Sequence, residues 1–279
     1  MHFVFTKAAR FIAPFLFRKG EIFSLKTGEL AGIKIRVNDP RESMQFRLHG
    51  PTWEQDHFEF IRRLFDGGVI PGSRAVICDI GAHIGIYSSW LDRLYRGDCV
   101  IHAFEPLPEA MERLKDGLKL NDIRSVSAVQ AALAGKTGEV EFFLGCHHSS
   151  STIVKQSGAA SFKVNSIALD DYFLGADPKP LPHFMKIDIE GGGIFAMAGM
   201  LEVARRCSPV IMMDSHNPDE DRAIGQFLRQ LDWQAYRLDT RQWVVNHDAA
   251  SPDPQGVWGT MLLCSREKAE RVRGVLAKR

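Results

Sequence analysis

The chain has 279 residues, 45% of them hydrophobic, enough to bury a sizeable core in one domain with embellishments. A formal net charge of +1 supplies no field to draw in a polyanion, so no nucleic-acid partner is expected. The five cysteines (Cys78, Cys99, Cys146, Cys207, Cys264) are odd in number and form no C-x-x-C pair, which points to a reducing cytoplasm rather than a disulfide framework.

Residues 1–20 set Phe3, Phe5, Phe11, Phe15 and Phe17 beside Lys7, Arg10, Arg18 and Lys19. Charge and Pro14 break the apolar run well short of the ~20 residues a bilayer needs, and no small-residue cleavage site follows. Two readings stand: an amphipathic helix packed on the body or on a second subunit of a homo-oligomer, or a basic aromatic segment peripheral to the inner face of a membrane. Strands are expected at Ile22 to Lys26 and Ile33 to Val37 around the turn Thr27-Gly28-Glu29. Residues 1–50 therefore read as an accessory segment and 51–279 as the main domain. Pro51 to Phe65 reads as a helix with Trp53, Phe58, Ile61 and Leu64 inward, stopped by Gly67-Gly68.

The most informative stretch follows. Ala75 to Cys78 is a short apolar run ending on Asp79; Gly81 and Gly85 come next, and helical spacing then takes over at Ile84, Tyr87, Trp90, Leu91 and Leu94. This predicts a buried parallel strand turning tightly into a helix, with glycines that let a ligand lie against the turn. The dinucleotide fingerprint G-x-G-x-x-G is absent, so no pyrophosphate is demanded. A second strand, Cys99 to Phe104, closes on Glu105 and Pro106, where a carboxylate suits a ribose diol. A ribose without a phosphate is what S-adenosylmethionine presents.

Pro108 to Leu120 is the next predicted helix, Ser125 to Ala131 the third strand, and Ala131-Ala132 offers adenine no acidic side chain. Gly135-Lys-Thr137 fails as a phosphate loop, because Gln130 stands where a glycine is needed, and reads as a turn before the strand Glu139 to Leu144. Residues 145–161 read as a loop whose His147 and His148 lack further ligands at metal spacing. Phe162 to Leu169, His183 to Ile189 and Val210 to Met213 are further strands, the last two ending in Asp188 and Glu190 and in Asp214 and His216. A helix at Pro218 to Leu231 and strands at Trp233 to Leu238, Gln242 to Val245 and Val257 to Cys264 complete the chain.

Alternating strands and helices with an antiparallel end imply a doubly wound, mostly parallel α/β sheet whose strand carboxyl ends converge on one crevice. Asp79, Glu105, Asp188, Glu190, Asp214 and His216 all fall at those ends. Methyl transfer from a sulfonium needs the acceptor in line with the methyl carbon, and a hydroxyl acceptor also sheds a proton. His216 is the leading candidate base because imidazole titrates near neutrality, with Asp188 second. Asp188, Asp214 and a neighbour also offer the hard oxygens Mg²⁺ prefers, although no metal ligand set is assigned.

Asp79-Ile-Gly-Ala-His-Ile-Gly-Ile-Tyr-Ser88, Ala103-Phe-Glu-Pro106, Leu169-Asp-Asp171 and Lys186-Ile-Asp-Ile-Glu-Gly191 resemble, in order and spacing, the FkbM family of S-adenosylmethionine-dependent methyltransferases across roughly residues 50–240. The resemblance implies a class I, Rossmann-like methyltransferase domain that O-methylates a saccharide or a polyketide-like small molecule. With the spacing above, it puts Asp79, Gly81, His83, Gly85, Glu105, Pro106, Asp188 and Glu190 at the cofactor. Glu54 resembles the family's acidic residue ahead of the first motif; a solvated helix charge is the other reading. Two departures stand out. Gly193 replaces the second acid of the usual Glu-Gly-Ala-Glu, and His83 replaces a more usual Asn. The first keeps open a noncatalytic scaffold on the same sheet, and a nicotinamide-dependent oxidoreductase is the other alternative.

Overall fold

A computed structural model describes residues 18–26, 28–38, 54–145, 151–155, 157–244 and 259–277. The N-terminal amphipathic helix up to residue 17, the division at residue 50, and His147 and His148 lie outside these residues.

In chain order the elements are β1 (Ile22–Ser24), β2 (Lys34–Arg36), α1 (Gln55–Asp66), β3 (Ala75–Ile80), α2 (Ile86–Leu94), β4 (Cys99–Phe104), α3 (Pro108–Leu120) and β5 (Val126–Val129). There follow β6 (Ala132–Leu133), β7 (Gly138–Phe143), β8 (Ser161–Ile167), α4 (Leu169–Leu174), β9 (Phe184–Ile187), α5 (Gly193–Ala196) and α6 (Leu201–Cys207). The last are β10 (Val210–Asp214), α7 (Pro218–Leu231), β11 (Trp233–Arg237), β12 (Gln242–Trp243), β13 (Thr260–Ser265) and α8 (Arg266–Ala277).

Among the described residues, eight strands form one sheet in the order β12-β11-β13-β10-β9-β3-β4-β5. The five strands from β10 to β5 are mutually parallel, and β13 lies antiparallel between β10 and β11. This is the doubly wound, mostly parallel sheet with an antiparallel end that the sequence leads one to expect. Every residue of β3 is buried, because helices cover both faces. Side chains alternate between them: Ala75 and Ile77 join Phe58, Trp90, Phe184 and Met212 on one face, while Val76, Cys78 and Ile80 join Met185, Ile187, Ile211 and Met213 on the other. Cys78, Cys99, Cys207 and Cys264 are free thiols, Cys207 alone among them only part-buried.

The β1–β2 hairpin shares the first of these cores through Leu25, Leu30, Ile33 and Ile35. Polar contacts fasten it too: Trp90 Nε1 donates to Glu29 Oε2 at 3.0 Å, and Arg36 Nε to Asp116 Oδ2 at 2.7 Å.

Four differences from the sequence reading have local causes. Helix α1 begins only at Gln55, because Glu54 takes the left-handed conformation (φ 47°). The expected third strand stops early, β5 ending at Val129, and the chain then crosses to β6 in a separate three-stranded sheet, β6-β8-β7. Leu169 opens α4 instead of closing β8, and Asp170 accepts hydrogen bonds from the N–H groups of Glu202 and Val203 at the start of α6. Helices α6 and α8 have no counterpart in the sequence reading; α6 is only 7 residues long and too short for a periodic signal.

Phe184 is fully buried at the centre of the sheet, whereas Val100 is 45% exposed. Phe184→Ala is expected to lower unfolding free energy by about 3–5 kcal/mol in urea titrations, and Val100→Ala by about 0.5 kcal/mol or less.

Candidate functional site

The order of chain progression along the sheet reverses between β3 and β9, since β4 and β5 continue to one side and β10 to the other. Open α/β sheets bind ligands at the carboxyl ends beside such a reversal. Here the turn after β3 comes hard against the turn after β9. Gly81 has φ +76°, and a Cβ on it would lie 1.9 Å from the backbone oxygen of Asp188. Only glycine fits both the conformation and the space.

Above this turn opens a cleft of about 360 Å³, large enough for a small-molecule ligand. Of the residues expected at the cofactor, Glu54, Gly81, His83, Glu105, Pro106, Asp188 and Glu190 line it. Asp79, Gly85 and His216 stand behind its walls. Asp79 is fully buried and accepts from Ser88 Oγ at 2.6 Å, which ties the strand end to α2. Burial raises its pKa, against the charge of Lys186 and the Ser88 bond. Gly85 (φ +79°) opens α2 close to the side chain of Leu114.

Glu105 holds the loops in place. Its Oε1 accepts from Leu107 N at 2.8 Å and its Oε2 from His83 N at 2.9 Å, so the carboxylate is aimed before any ligand arrives. Burial raises its pKa and these two backbone bonds oppose the rise. Three non-glycine residues on the cleft wall, Glu54, His83 and Glu190, have φ of 47°, 49° and 50°. Such left-handed backbone costs about 1–3 kcal/mol a residue and tends to gather at functional sites.

On the far wall Tyr87 donates its hydroxyl proton to Glu54, and His57 Nδ1 lies 3.2 Å from the same hydroxyl oxygen. His57 Nε2 lies 3.0 Å from Thr260 Oγ1, which in turn donates to Asp214. Burial works against a charge on His57, but Glu54, Asp214 and Asp239 outweigh it and raise its pKa. Lys186 is buried in β9 with Nζ 4.8 Å from the Tyr87 ring centre and 3.3 Å from Asp188 Oδ2. Burial opposes its charge too, yet Asp188, Asp79 and Asp214 more than compensate and raise its pKa.

The ends of β9 and β10 bring Asp188, Glu190 and His216 together. His216 Nε2 lies 3.3 Å from Asp188 Oδ1 and 3.8 Å from Glu190 Oε2, and Nδ1 lies 3.2 Å from Glu220 Oε2. Burial alone would discharge the ring; Asp188, Glu220 and Glu190 instead push its pKa up to about 11. His216 thus lies beside the cleft wall at Asp188 and Glu190, and these carboxylates favour its charged form, which weighs against the base role the sequence suggests for it. Burial would also raise Asp188, but Lys186 and His216 hold it well below the usual carboxylate range. Asp214 goes the other way: burial, and then the charge of Asp188, raise it to about 6. One ligand atom from each of Asp188, Glu190 and His216 lies within 4.8 Å of the others, the imidazole bridging the two carboxylates. Asp214, considered for Mg²⁺ from the sequence, is not part of that group.

The sequence model of the Methyltransferase FkbM domain matches residues 79–238, more than half of the chain, and takes in the carboxyl ends of β3, β4, β9 and β10. This chain belongs to the FkbM methyltransferase family. Methyltransferase FkbM from Methylobacillus flagellatus KT superposes with a TM-score of 0.49 at 16% identity, covering 81% of this chain and 54% of that one. This chain therefore spans about half the length of that relative. An O-methyltransferase from Bacillus cereus, in complex with SAH, gives 0.44 at 12% identity over 77% and 81% of the two chains. TomG from Streptomyces achromogenes, in complex with SAM, gives 0.42 at 13% identity over 75% and 78%. No curated protein matches the sequence.

Within the FkbM domain both departures have a visible setting. At His83 the backbone N–H, rather than the ring, makes the contact to Glu105. At Gly193 a Cβ would meet Met213 Cε at 2.1 Å and Glu220 Oε1 at 2.4 Å. Sequence reasoning passed over Tyr87, His57, Lys186 and Glu220. A lysine inside the apolar run Phe184–Ile187 was a usable signal, because lysine is almost never fully buried without a partner. Glu220 had none; among Asp219, Glu220 and Asp221 it looks like an ordinary helix-start acid.

The raised pKa of Asp214 yields a pH test. Its proton is held more tightly in the folded than in the unfolded protein, so the associated stability is full below about 3.8 and lost as pH rises through about 6. Thermal melts of Asp214→Asn against the wild type should show the variant gaining relative stability between those values, with a flat difference above about pH 7.

Proposed function

We propose that this FkbM-family protein transfers the methyl group of S-adenosylmethionine to a hydroxyl of a small-molecule acceptor, a saccharide or polyketide-like metabolite. The observation that carries the reading is the bare turn at Gly81, pressed on the Asp188 carbonyl beneath the cleft, with the Glu105 carboxylate aimed beside it. A nucleoside fits that arrangement. Glu105 would hold the ribose hydroxyls through its remaining lone pairs, and Ala131, Ala132 and Leu133 would give adenine an apolar wall with no acidic side chain. Glu54, His83, Pro106 and Glu190 complete the cofactor's surroundings, while Asp79 and Gly85 act from behind by fixing the start of α2.

The chemistry is a direct displacement. The acceptor oxygen forms a bond to the methyl carbon as the carbon–sulfur bond breaks, the electron pair stays on sulfur, and the hydroxyl proton leaves. Alignment of the two partners supplies a large part of the rate, about 7–11 kcal/mol in favourable systems. Asp188, ionised beside Lys186 and His216, accepts the hydrogen bond from the acceptor hydroxyl and takes its proton late in the transfer. His216, charged, orients that carboxylate. A bound S-adenosylmethionine adds a sulfonium charge that acids on this wall offset. Among the described residues no helix is long and apolar enough to cross a membrane.

Calorimetry with S-adenosylmethionine, followed by labelled-methyl transfer over a panel of saccharides and polyols, tests the reading: absence of binding heat would overturn it. Glu105→Gln can accept only one of the two backbone bonds and should weaken cofactor binding about 10- to 100-fold. Gly81→Ala, forced against Asp188, should abolish binding and lower the melting temperature, whereas retained binding would show that the turn is not the cofactor's seat.

A further inference from the structure

Glu220 is fully buried at the start of α7, and its carboxylate gathers three groups from two other segments. Its Oε1 accepts from Gly193 N, at the start of α5, at 2.9 Å. Its Oε2 accepts from His216 N at 2.8 Å and lies 3.2 Å from His216 Nδ1. An acid in the first turn of a helix ordinarily reaches back to one backbone N–H just ahead of it. The bond to His216 N is of that kind. Those to the Gly193 turn and to the imidazole are not.

Space couples the two positions. A Cβ at position 193 would sit 2.4 Å from Glu220 Oε1 and 2.1 Å from Met213 Cε, so any side chain there displaces the ends of those two side chains from where they stand. We propose that Glu220 is the positioning residue for His216, and that it supplies from α7 the carboxylate for which position 193 has no side chain. The loss of an acid at 193 thus moves a charge in the chain and does not remove it, which argues against reading Gly193 as a mark of a dead enzyme. Anchored at Nδ1, the ring presents Nε2 to Asp188 at 3.3 Å and to Glu190 at 3.8 Å. The charged groups facing His216 are Asp188 and Glu190 from the turn after β9 and Glu220 from α7, with Lys186 on the other oxygen of Asp188. The catalytic consequence, though not the contact itself, rests on the methyl-transfer reading above.

The test uses the full chain with nitrogen-labelled histidine. In Glu220→Gln, nearly isosteric, the His216 ring should titrate at least about one pH unit lower by NMR than in the wild type. Its kcat should fall about tenfold or more, with KM for S-adenosylmethionine little changed. Gly193→Ala, which leaves residue 220 in place, should shift the ring the same way. Moving the acid back, Gly193→Glu with Glu220→Ala, should recover about tenfold of the activity that Glu220→Ala loses. An unchanged His216 titration in both Glu220→Gln and Gly193→Ala overturns the proposal, as does a folded double variant no more active than Glu220→Ala. If the wild type binds no S-adenosylmethionine and transfers no methyl group, the methyl-transfer reading falls, and the ring titration still decides whether Glu220 holds His216.

Discussion

The contact on which the site depends is between two backbones. β3 and β9 pair in parallel through Ile80 and Ile187, and just beyond that register the chain at Gly81 meets the carbonyl of Asp188 with no room for a side chain. The strands must approach this closely because their inner residues are buried from both faces, and the sheet spacing is set by hydrogen bonds rather than by side chains. From that proximity follow the shape of the cleft floor, the left-handed backbone at His83 and Glu190 on either side of it, and the aim of Glu105. An apolar core of two faces bears the local strain.

Electrostatically the site is a set of charges in one another's debt. Lys186 stays charged in a buried strand because Asp188, Asp79 and Asp214 surround it, and Asp188 stays ionised because Lys186 and His216 do. Asp214, left facing Asp188, is the acid that yields and holds its proton to about pH 6. Adjacent carboxylates whose pKa values are driven apart by their surroundings are suited to different roles. Here Asp188 is the one poised as an anion on the cleft wall, and Asp214, bonded through Thr260 towards His57, belongs to the frame.

The accessory hairpin bears on the site in the same way. Glu29 in its turn receives the Trp90 indole, Trp90 packs on Phe58 at 4.9 Å between ring centres, and Phe58 packs on Tyr87 at 4.7 Å. The far wall, where Tyr87 meets Glu54, is therefore braced from the hairpin side through a line of aromatic contacts.

What the amino-acid sequence determined alone is everything that local pattern can encode: the apolar run that makes β3, the glycine spacing after it, the acids at strand ends, and the helix at Pro218–Leu231. A strand end is legible because side chains alternate and turns demand particular residues. Glu54, Gly81, His83, Glu105, Pro106, Asp188 and Glu190 were all reached that way or through the family resemblance, and all line one cleft. Tertiary structure alone decided which neighbours those residues meet. The charge on His216 depends on Glu220 and Asp188, brought together from separate elements, and Lys186 is buried against Tyr87 from a helix far earlier in the chain. Ionisation and exposure are properties of an assembled environment, and no one-dimensional spacing carries them.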